Sequence, residues 1–264
     1  MNVLMEIVAE TRTAIARRAQ SVPLSALIEA GEQRRAGEPQ TRDFKAALAA
    51  PGISLIAEHK RSSPSAGVIR ADLELADVVS AYERAGARAL SVLTEESRFG
   101  GELADLEAAR AASSLPILRK DFVVEEYQVH EALAGGADAI LLIVAALDTG
   151  TLIRLHSLAT QLGLATLVEV HDAIELDAAH EIGAEIVGIN NRNLTTLQVD
   201  VERTYELLGD VRDGALVVAE SGFREHAQLV RLQQAGVDAV LVGEALMRAP
   251  DIEAATRDLL GSTP

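Results

Sequence analysis

The sequence predicts an α/β fold, a (β/α)8 TIM barrel with an N-terminal helical extension, and three observations carry that prediction. From residue 53 onward, eight short apolar runs alternate with amphipathic segments. Four junctions, Gly86-Ala87-Arg88-Ala89, Gly136-Ala137-Asp138-Ala139, Gly183-Ala184-Glu185 and Gly236-Val237-Asp238-Ala239, each end a helical pattern and enter an apolar run. Glycine fits the left-handed position after a helix. These junctions precede the second, fourth, sixth and eighth runs, so the repeat is a doubled β/α pair. The turn after the first run, Ser62-Ser63-Pro64-Ser65-Ala66-Gly67, lacks the GxGxxG pattern usual in an open doubly wound sheet. Eight parallel units with such a repeat favour a closed barrel.

The elements follow in order. Residues 1–50 form the helical extension of a single domain spanning 1–264. Leu4, Ile7, Val8, Thr11 and Ile15 recur at helical spacing, Leu24, Leu27 and Ile28 begin a second helix after Pro23, and Phe44 and Leu48 mark a further short one. The apolar runs are 53–58, 88–93, 116–120, 138–144, 164–170, 185–190, 215–220 and 238–242. Helical patterns occupy 74–85, 102–112, 125–134, 150–162, 172–181, 200–208 and 223–235, with 251–260 closing the chain.

Composition narrows the function classes. At 264 residues and 48% hydrophobic content, the chain suits one barrel of ~250 residues. No apolar run approaches the ~20 residues of a membrane span, and residues 1–20 mix acids with arginines, unlike a secretory signal. The absence of cysteine excludes disulfides and thiolate metal sites and points to a cytoplasmic setting. A net charge of −16 without a basic block makes nucleic acid and anionic membrane poor partners. The six histidines show no metal spacing; His171 and His180 read as helix residues off one face, and Asp105 and Glu107 as solvated helix positions.

Chemistry is expected where the strands end, because β/α barrels build their sites at the carboxyl face. The first run closes with Glu58 and Lys60, two apart and hence on one side of the strand, with His59 on the other. Of 24 Lys and Arg only three are lysine, Lys45, Lys60 and Lys120. Arginine supplies surface charge almost everywhere, so a lysine retained at a strand end is informative: a desolvated lysine can exchange a proton, whereas arginine stays charged. Lys45 reads as a surface residue. The other ends bring Ser63, Thr94 to Glu96 and Phe99, Asp121 and Phe122, Leu141, Glu169, Asn190 to Arg192, Glu220 to Gly222, and Gly243 with Glu244. Ser221-Gly222-Phe223 and Gly243-Glu244 read as helix starts, whose free N–H groups suit a phosphate.

These residues carry a resemblance. Leu55-Ile56-Ala57-Glu58-His59-Lys60-Arg61-Ser62-Ser63-Pro64-Ser65-Ala66-Gly67 is similar to the signature of the indole-3-glycerol-phosphate synthase family, with His59 where that family usually has an apolar residue. The stretches from Pro116, Leu167, Gly188 and Val218 resemble its motifs for strands three, five, six and seven. Around Phe99, Arg98-Phe99-Gly100-Gly101-Glu102 departs from the usual aromatic-x-Gly-Ser. The resemblance spans essentially the whole chain. It implies a lyase of tryptophan biosynthesis that converts 1-(2-carboxyphenylamino)-1-deoxyribulose 5-phosphate to indole-3-glycerol phosphate, CO2 and water, with no metal or organic cofactor. The implied partner is a phosphorylated small molecule, and the chain is expected as a monomer or weak homo-oligomer.

Roles are assigned on that basis. Lys120 is the candidate general acid at the ketone, with the division of labour between it and Lys60 left open by the sequence, and Glu169 stabilises the cation developing on nitrogen or acts as base. Lys60, held by Glu58, and Arg192 grip the carboxylate, and Glu58 takes part in proton transfer. Asn190 and Ser221 bond sugar hydroxyls and fix Glu169. Phe99, Phe122, Leu141 and Leu194 form an apolar slot, and Ser63, Gly222, Gly243 and Glu244 hold phosphate. Two other readings fit the sequence less well. A related phosphate-binding isomerase typically needs an Asp or Cys at the first strand end, and a catalytically silent barrel would be free to lose both lysines to arginine.

Overall fold

In a computed structural model of the chain, residues 3–37, 42–64, 67–70, 72–194 and 196–262 are described; Ser65 and Ala66 of the expected turn lie outside them. Eight strands, β1 Ser54–His59, β2 Ala89–Leu93, β3 Ile117–Lys120, β4 Ala139–Ile143, β5 Ala165–Val170, β6 Ile186–Asn190, β7 Leu216–Glu220 and β8 Ala239–Val242, form a closed barrel. Every neighbouring pair is parallel, and β8 closes on β1 with Leu55 opposite Val240. The strands fall within about one residue of the apolar runs. Gly86, Gly136, Gly183 and Gly236 all take left-handed backbone, with φ of 100°, 105°, 75° and 101°. That conformation is strained for any side chain, which is why the repeat is written in glycine.

The strand period of two sorts side chains into two cores. Outward residues such as Leu55, Ala57, Val92, Ile140, Val168 and Ile189 pack beneath the helical ring, whose members include α4 Leu75–Arg84, α5 Ala104–Ala112, α6 Glu126–Gly135 and α7 Thr149–Gln161. The ring continues through α8 Ala173–Glu181, α9 Glu202–Leu208, α10 His226–Ala235 and α12 Ile252–Leu260, with the short α11 Glu244–Met247 before the last. Inward residues at the strand starts, including Ala89, Ala139, Ile186 and Ala239, are apolar. Inward residues at five of the strand ends are polar, Glu58, Lys120, Glu169, Asn190 and Glu220, while Leu93, Ile143 and Leu241 are apolar. The site is a consequence of this gradient along one face of each strand.

The N-terminal helices serve opposite ends of the barrel. α1 Val3–Ser21 buries Leu4, Ile7, Val8, Thr11 and Ile15, the face read from spacing, and its apolar members share a cluster with Phe122, Val124 and Leu141 near the carboxyl mouth. Arg18 fixes this helix by donating to Glu131 from Nε and a terminal nitrogen, at 2.6 and 3.0 Å. The short α3 Phe44–Leu48 instead packs among the strand starts, and Ser54 Oγ donates to the Leu48 carbonyl at 2.8 Å. α2 Leu24–Gly37 begins where the spacing places it, yet Leu24 and Ile28 are 42% and 38% exposed. Its buried residue is Gly31, where an added methyl would meet Leu133 at 2.9 Å, so close backbone approach to α6 replaces an apolar stripe. Asp105 is likewise corrected; it is buried and ion-paired with Arg61, because α5 turns its first residues toward the loop after β1.

This division sets a truncation test. Removing residues 1–21 should leave a folded barrel whose KM for substrate rises about tenfold or more, ~1.4 kcal/mol of lost binding. Cutting after Lys45 also removes Phe44, which is 1% exposed, and should cost a further ~3–5 kcal/mol of stability. Thermal unfolding of the two truncations, with steady-state rates for the first, measures both effects.

Candidate active site

The polar strand ends converge on one mouth. Lys60 Nζ lies 2.8 Å from Glu58 Oε1, as the same-side spacing requires, and Ser91 Oγ donates to Glu58 Oε2 at 3.2 Å. Burial alone would raise the Glu58 carboxyl, but the Lys60 and Lys120 charges with the Lys60 and Ser91 hydrogen bonds hold it below its usual value. Lys120 Nζ stands 3.5 Å from Glu220 Oε2 and 3.6 Å from Glu169 Oε2. Burial works against its charge; Glu220, Glu169 and Glu58 outweigh that and keep the ammonium protonated above the ordinary lysine range. Two glycines make room for these acids. A methyl on Gly243 would lie 2.6 Å from Glu58 Oε1, and one on Gly188 would collide with Glu220 Oε1.

Above these charges opens a cavity of about 540 Å³. Its apolar side is the expected slot: Phe99 and Phe122, with centroids 6.3 Å apart and rings tilted by 43°, together with Leu141 and Leu194. Arg192 borders it, anchored by one guanidinium nitrogen on the Leu197 carbonyl at 3.1 Å, and has no carboxylate partner among the described residues. Ser63 lines a smaller adjoining space with Lys60, Phe99, Arg192 and Leu194, under Leu4 and Ile7 of α1. It does not border the space that Gly222 and Gly243 share.

Those glycines form the opposite rim. Ser221 and Gly222 both have positive φ, 67° and 97°. A serine there is uncommon and costs of order 1 kcal/mol or more, strain that concentrates at functional sites. The expected helix start at Ser221-Gly222-Phe223 is corrected: α10 begins at His226, because Glu225 and Gln228 form a capping box. A loop therefore separates the rim from the helix. Gly243 does precede α11, but the Glu244 carboxylate pairs with Arg248 at 3.1 Å, leaving backbone rather than side chain toward the rim. Arg224, two residues past Gly222, borders the same cavity.

A sequence model of the indole-3-glycerol phosphate synthase family matches residues 4–259. The chain belongs to this family. It is 49% identical over 260 residues to the indole-3-glycerol phosphate synthase of Parafrankia sp., covering 98% of this chain and 96% of that protein. The protein of the same name from Saccharopolyspora erythraea is 47% identical over 266 residues, covering 100% and 97%. Among solved structures, thiamine phosphate pyrophosphorylase from Pyrococcus furiosus superposes with a TM-score of 0.62 at 21% identity, covering 83% of this chain and 96% of that one. That similarity concerns the barrel fold alone.

Within this family frame, one assignment fails locally. Asn190 and Ser221 make no hydrogen bond to Glu169, whose two oxygens are both buried and without a hydrogen bond among the described groups, though within ion-pair distance of Lys120 and His171. Asn190 Oδ1 instead accepts from the Arg192 N–H at 3.0 Å, and the Ser221 carbonyl accepts from Asn191 Nδ2 at 3.1 Å. Both therefore shape the loops around the mouth. Sequence reasoning also left Glu220 without a role, although burial first and the Glu169 charge second push its carboxyl well above the usual range. His171 was misplaced on a helix. It sits just past β5, since Asp172 caps α8, with Nε2 3.5 Å from Glu169 Oε1 and Nδ1 3.0 Å from Glu175 Oε2. The period of two from Glu169 was the available signal. His59, by contrast, lies on the outer face as expected, where burial first and Arg61 second depress its pKa to about 4.

Proposed function

We infer that this chain catalyses the decarboxylating, dehydrating ring closure of 1-(2-carboxyphenylamino)-1-deoxyribulose 5-phosphate to indole-3-glycerol phosphate, with Lys120 as the general acid. The observation that carries the assignment is the Lys120 ammonium, set between two buried carboxylates and facing an aromatic-lined cavity. Attack of the ring carbon on the ketone places charge on oxygen, and a buried cation that can release a proton meets that need. Phe99, Phe122, Leu141 and Leu194 seat the aromatic ring. Arg192 and Lys60 receive the carboxylate, with Glu58 steering Lys60. Glu169 faces the developing iminium charge with neither oxygen held by a hydrogen bond among the described groups. Incubating the purified chain with this substrate and following indole absorbance tests the assignment; no absorbance change at any enzyme concentration would sink it.

The phosphate is assigned to the Ser221–Gly222 and Gly243–Glu244 rim, with Arg224 beside it and Ser63 in the adjoining smaller space. Two variants of Gly222 separate charge from shape. A Cβ at this position would meet Val199 and Val201 at 2.8 Å, and the φ of 97° disfavours any side chain. Gly222→Ala carries that clash and backbone penalty without a charge, whereas Gly222→Asp adds a negative charge beside a dianion. KM should rise about 10²-fold more in the Asp variant than in the Ala variant, ~2.7 kcal/mol, with similar kcat in the two. Equal KM values would move the phosphate to another part of the mouth.

A further inference from the structure

The ring closure consumes a proton overall, and the buried site needs a way to take it from water. The substrate enters with an aryl carboxylate and leaves without it as neutral CO2. The ketone oxygen gains one proton on ring closure and a second as it departs as water, while the adjacent carbon gives one up as the indole double bond forms. The balance is one proton taken up per turnover. Lys120 and Glu169 sit beneath the substrate cavity, and Glu169 is 1% exposed. Once substrate fills the mouth, the cavity itself is a poor path for water.

The structure offers another path on the outer side of Glu169. Lys120 Nζ lies 3.6 Å from Glu169 Oε2, Glu169 Oε1 lies 3.5 Å from His171 Nε2, and His171 Nδ1 lies 3.0 Å from Glu175 Oε2. The His171 N–H donates to the same Glu175 oxygen at 2.8 Å, which fixes the imidazole on its own loop. Glu175 is on the first turn of α8 and its side chain is 18% exposed, so the row begins in the site and ends at the surface. The buried His171 Nε2 and both Glu169 oxygens have no hydrogen-bond partner among the described groups. Separations of 3.5 and 3.6 Å leave no space for a water between them and shorten readily when a substrate is bound.

We propose that His171, braced by Glu175, relays protons from solvent to Glu169 during turnover. The proposal rests on the ring-closure assignment above. In the relay, Nε2 gives its proton to Glu169 Oε1 while Nδ1 takes one from the Glu175 side, so the imidazole returns to its starting charge. Glu169 passes the proton on to Lys120 after Lys120 has protonated the ketone. The charged groups facing His171 are Glu169 on its own strand, Glu175 on α8 and Glu220 across the mouth on β7. The turn Val144–Ala146, packed against both α8 and β5, is apolar. An imidazole between two carboxylates can donate to both only as imidazolium. Burial opposes that form, but the Glu175 hydrogen bond and the Glu169 charge raise its pKa overall.

A relay differs from a merely structural histidine in that a soluble proton carrier can replace it. In His171→Asn, kcat should fall about 10²-fold at low buffer concentration, the lower end of a general acid–base contribution, with KM within about twofold. Added imidazole at constant ionic strength should restore a saturable part of that loss and leave wild-type rates unchanged. Glu175→Gln should show a weaker loss with the same rescue, and serves alone if the His171 variant does not fold. A folded His171→Asn with wild-type kcat at low buffer, or with a loss that imidazole does not restore, overturns the relay. A wild-type chain that makes no indole product would instead remove the ring-closure assignment, and the relay with it.

Discussion

Replacing Lys120 with arginine should reduce kcat by about 10²–10⁴-fold while KM changes little. Arginine keeps the positive charge between Glu169 and Glu220, so ground-state electrostatics survive, but it cannot give up a proton at any working pH. The pH profile supplies a second readout. Because the neighbouring carboxylates hold the Lys120 ammonium above the ordinary lysine range, the acid form persists as pH rises. The wild-type basic limb from this group should therefore fall above ~10.4, the ordinary lysine value, and be absent in the variant. Lys60→Arg makes the contrast. It preserves a cation for the carboxylate, 2.8 Å from Glu58 in the parent, and should act mainly on KM. A Lys60 variant with unchanged KM and the lower kcat would reverse the two roles.

Glu169→Gln should lose about 10²–10³-fold in kcat and at the same time make the protein more stable. The two effects share one cause. Glu169 and Glu220 are buried carboxylates, 1% exposed each, and three of their four oxygens have no hydrogen-bond partner among the described groups. Like charges packed this way are costly, and among the described residues Lys120 is the lysine paired with both. An amide at 169 removes the charge that helps push Glu220 up, and stability should rise by ~1–2 kcal/mol. The sign of the pH dependence can also be checked. A carboxyl whose folded pKa is raised binds its proton more tightly in the folded state. Between the ordinary carboxylate value and the raised Glu220 value, its contribution to stability therefore falls as pH increases. Thermal unfolding across that window should show a shallower decline in Glu169→Gln than in the parent. A variant less stable than the parent, or one retaining most of its kcat, would mean that the carboxylate serves structure rather than the reaction.

The local pattern was enough for the barrel. Strand limits, the helices that alternate with them and the four left-handed glycines all depend on nearest-neighbour chemistry: apolar runs of strand length, 3.6-residue periodicity, and φ angles that only glycine adopts cheaply. The pairing of Glu58 with Lys60 was legible for the same reason, since a period of two fixes which side chains share a face. Lys120 and Glu169 could be singled out by position, because the carboxyl end of each strand is defined along the chain. Residues in motifs were recognisable where their neighbours in sequence are also their neighbours in function.

What the chain order could not supply was distance between strands. Whether Glu169 meets Asn190 or Lys120 depends on the closure and stagger of eight strands, and the tertiary structure selects Lys120. Glu220 gains its proton affinity from burial beside another strand's carboxylate, a property absent from its own segment. Ser63 lies apart from Gly222 and Gly243 because the loop after β1 folds under α1, a packing that no local pattern encodes. Asp105 reads as a solvated helix position until Arg61 is brought against it. The sequence by itself determined the barrel and its row of polar strand ends, because both follow from short-range periodicity. The tertiary structure alone decided which charges are neighbours, because electrostatic coupling depends on separation in space and on exclusion of water.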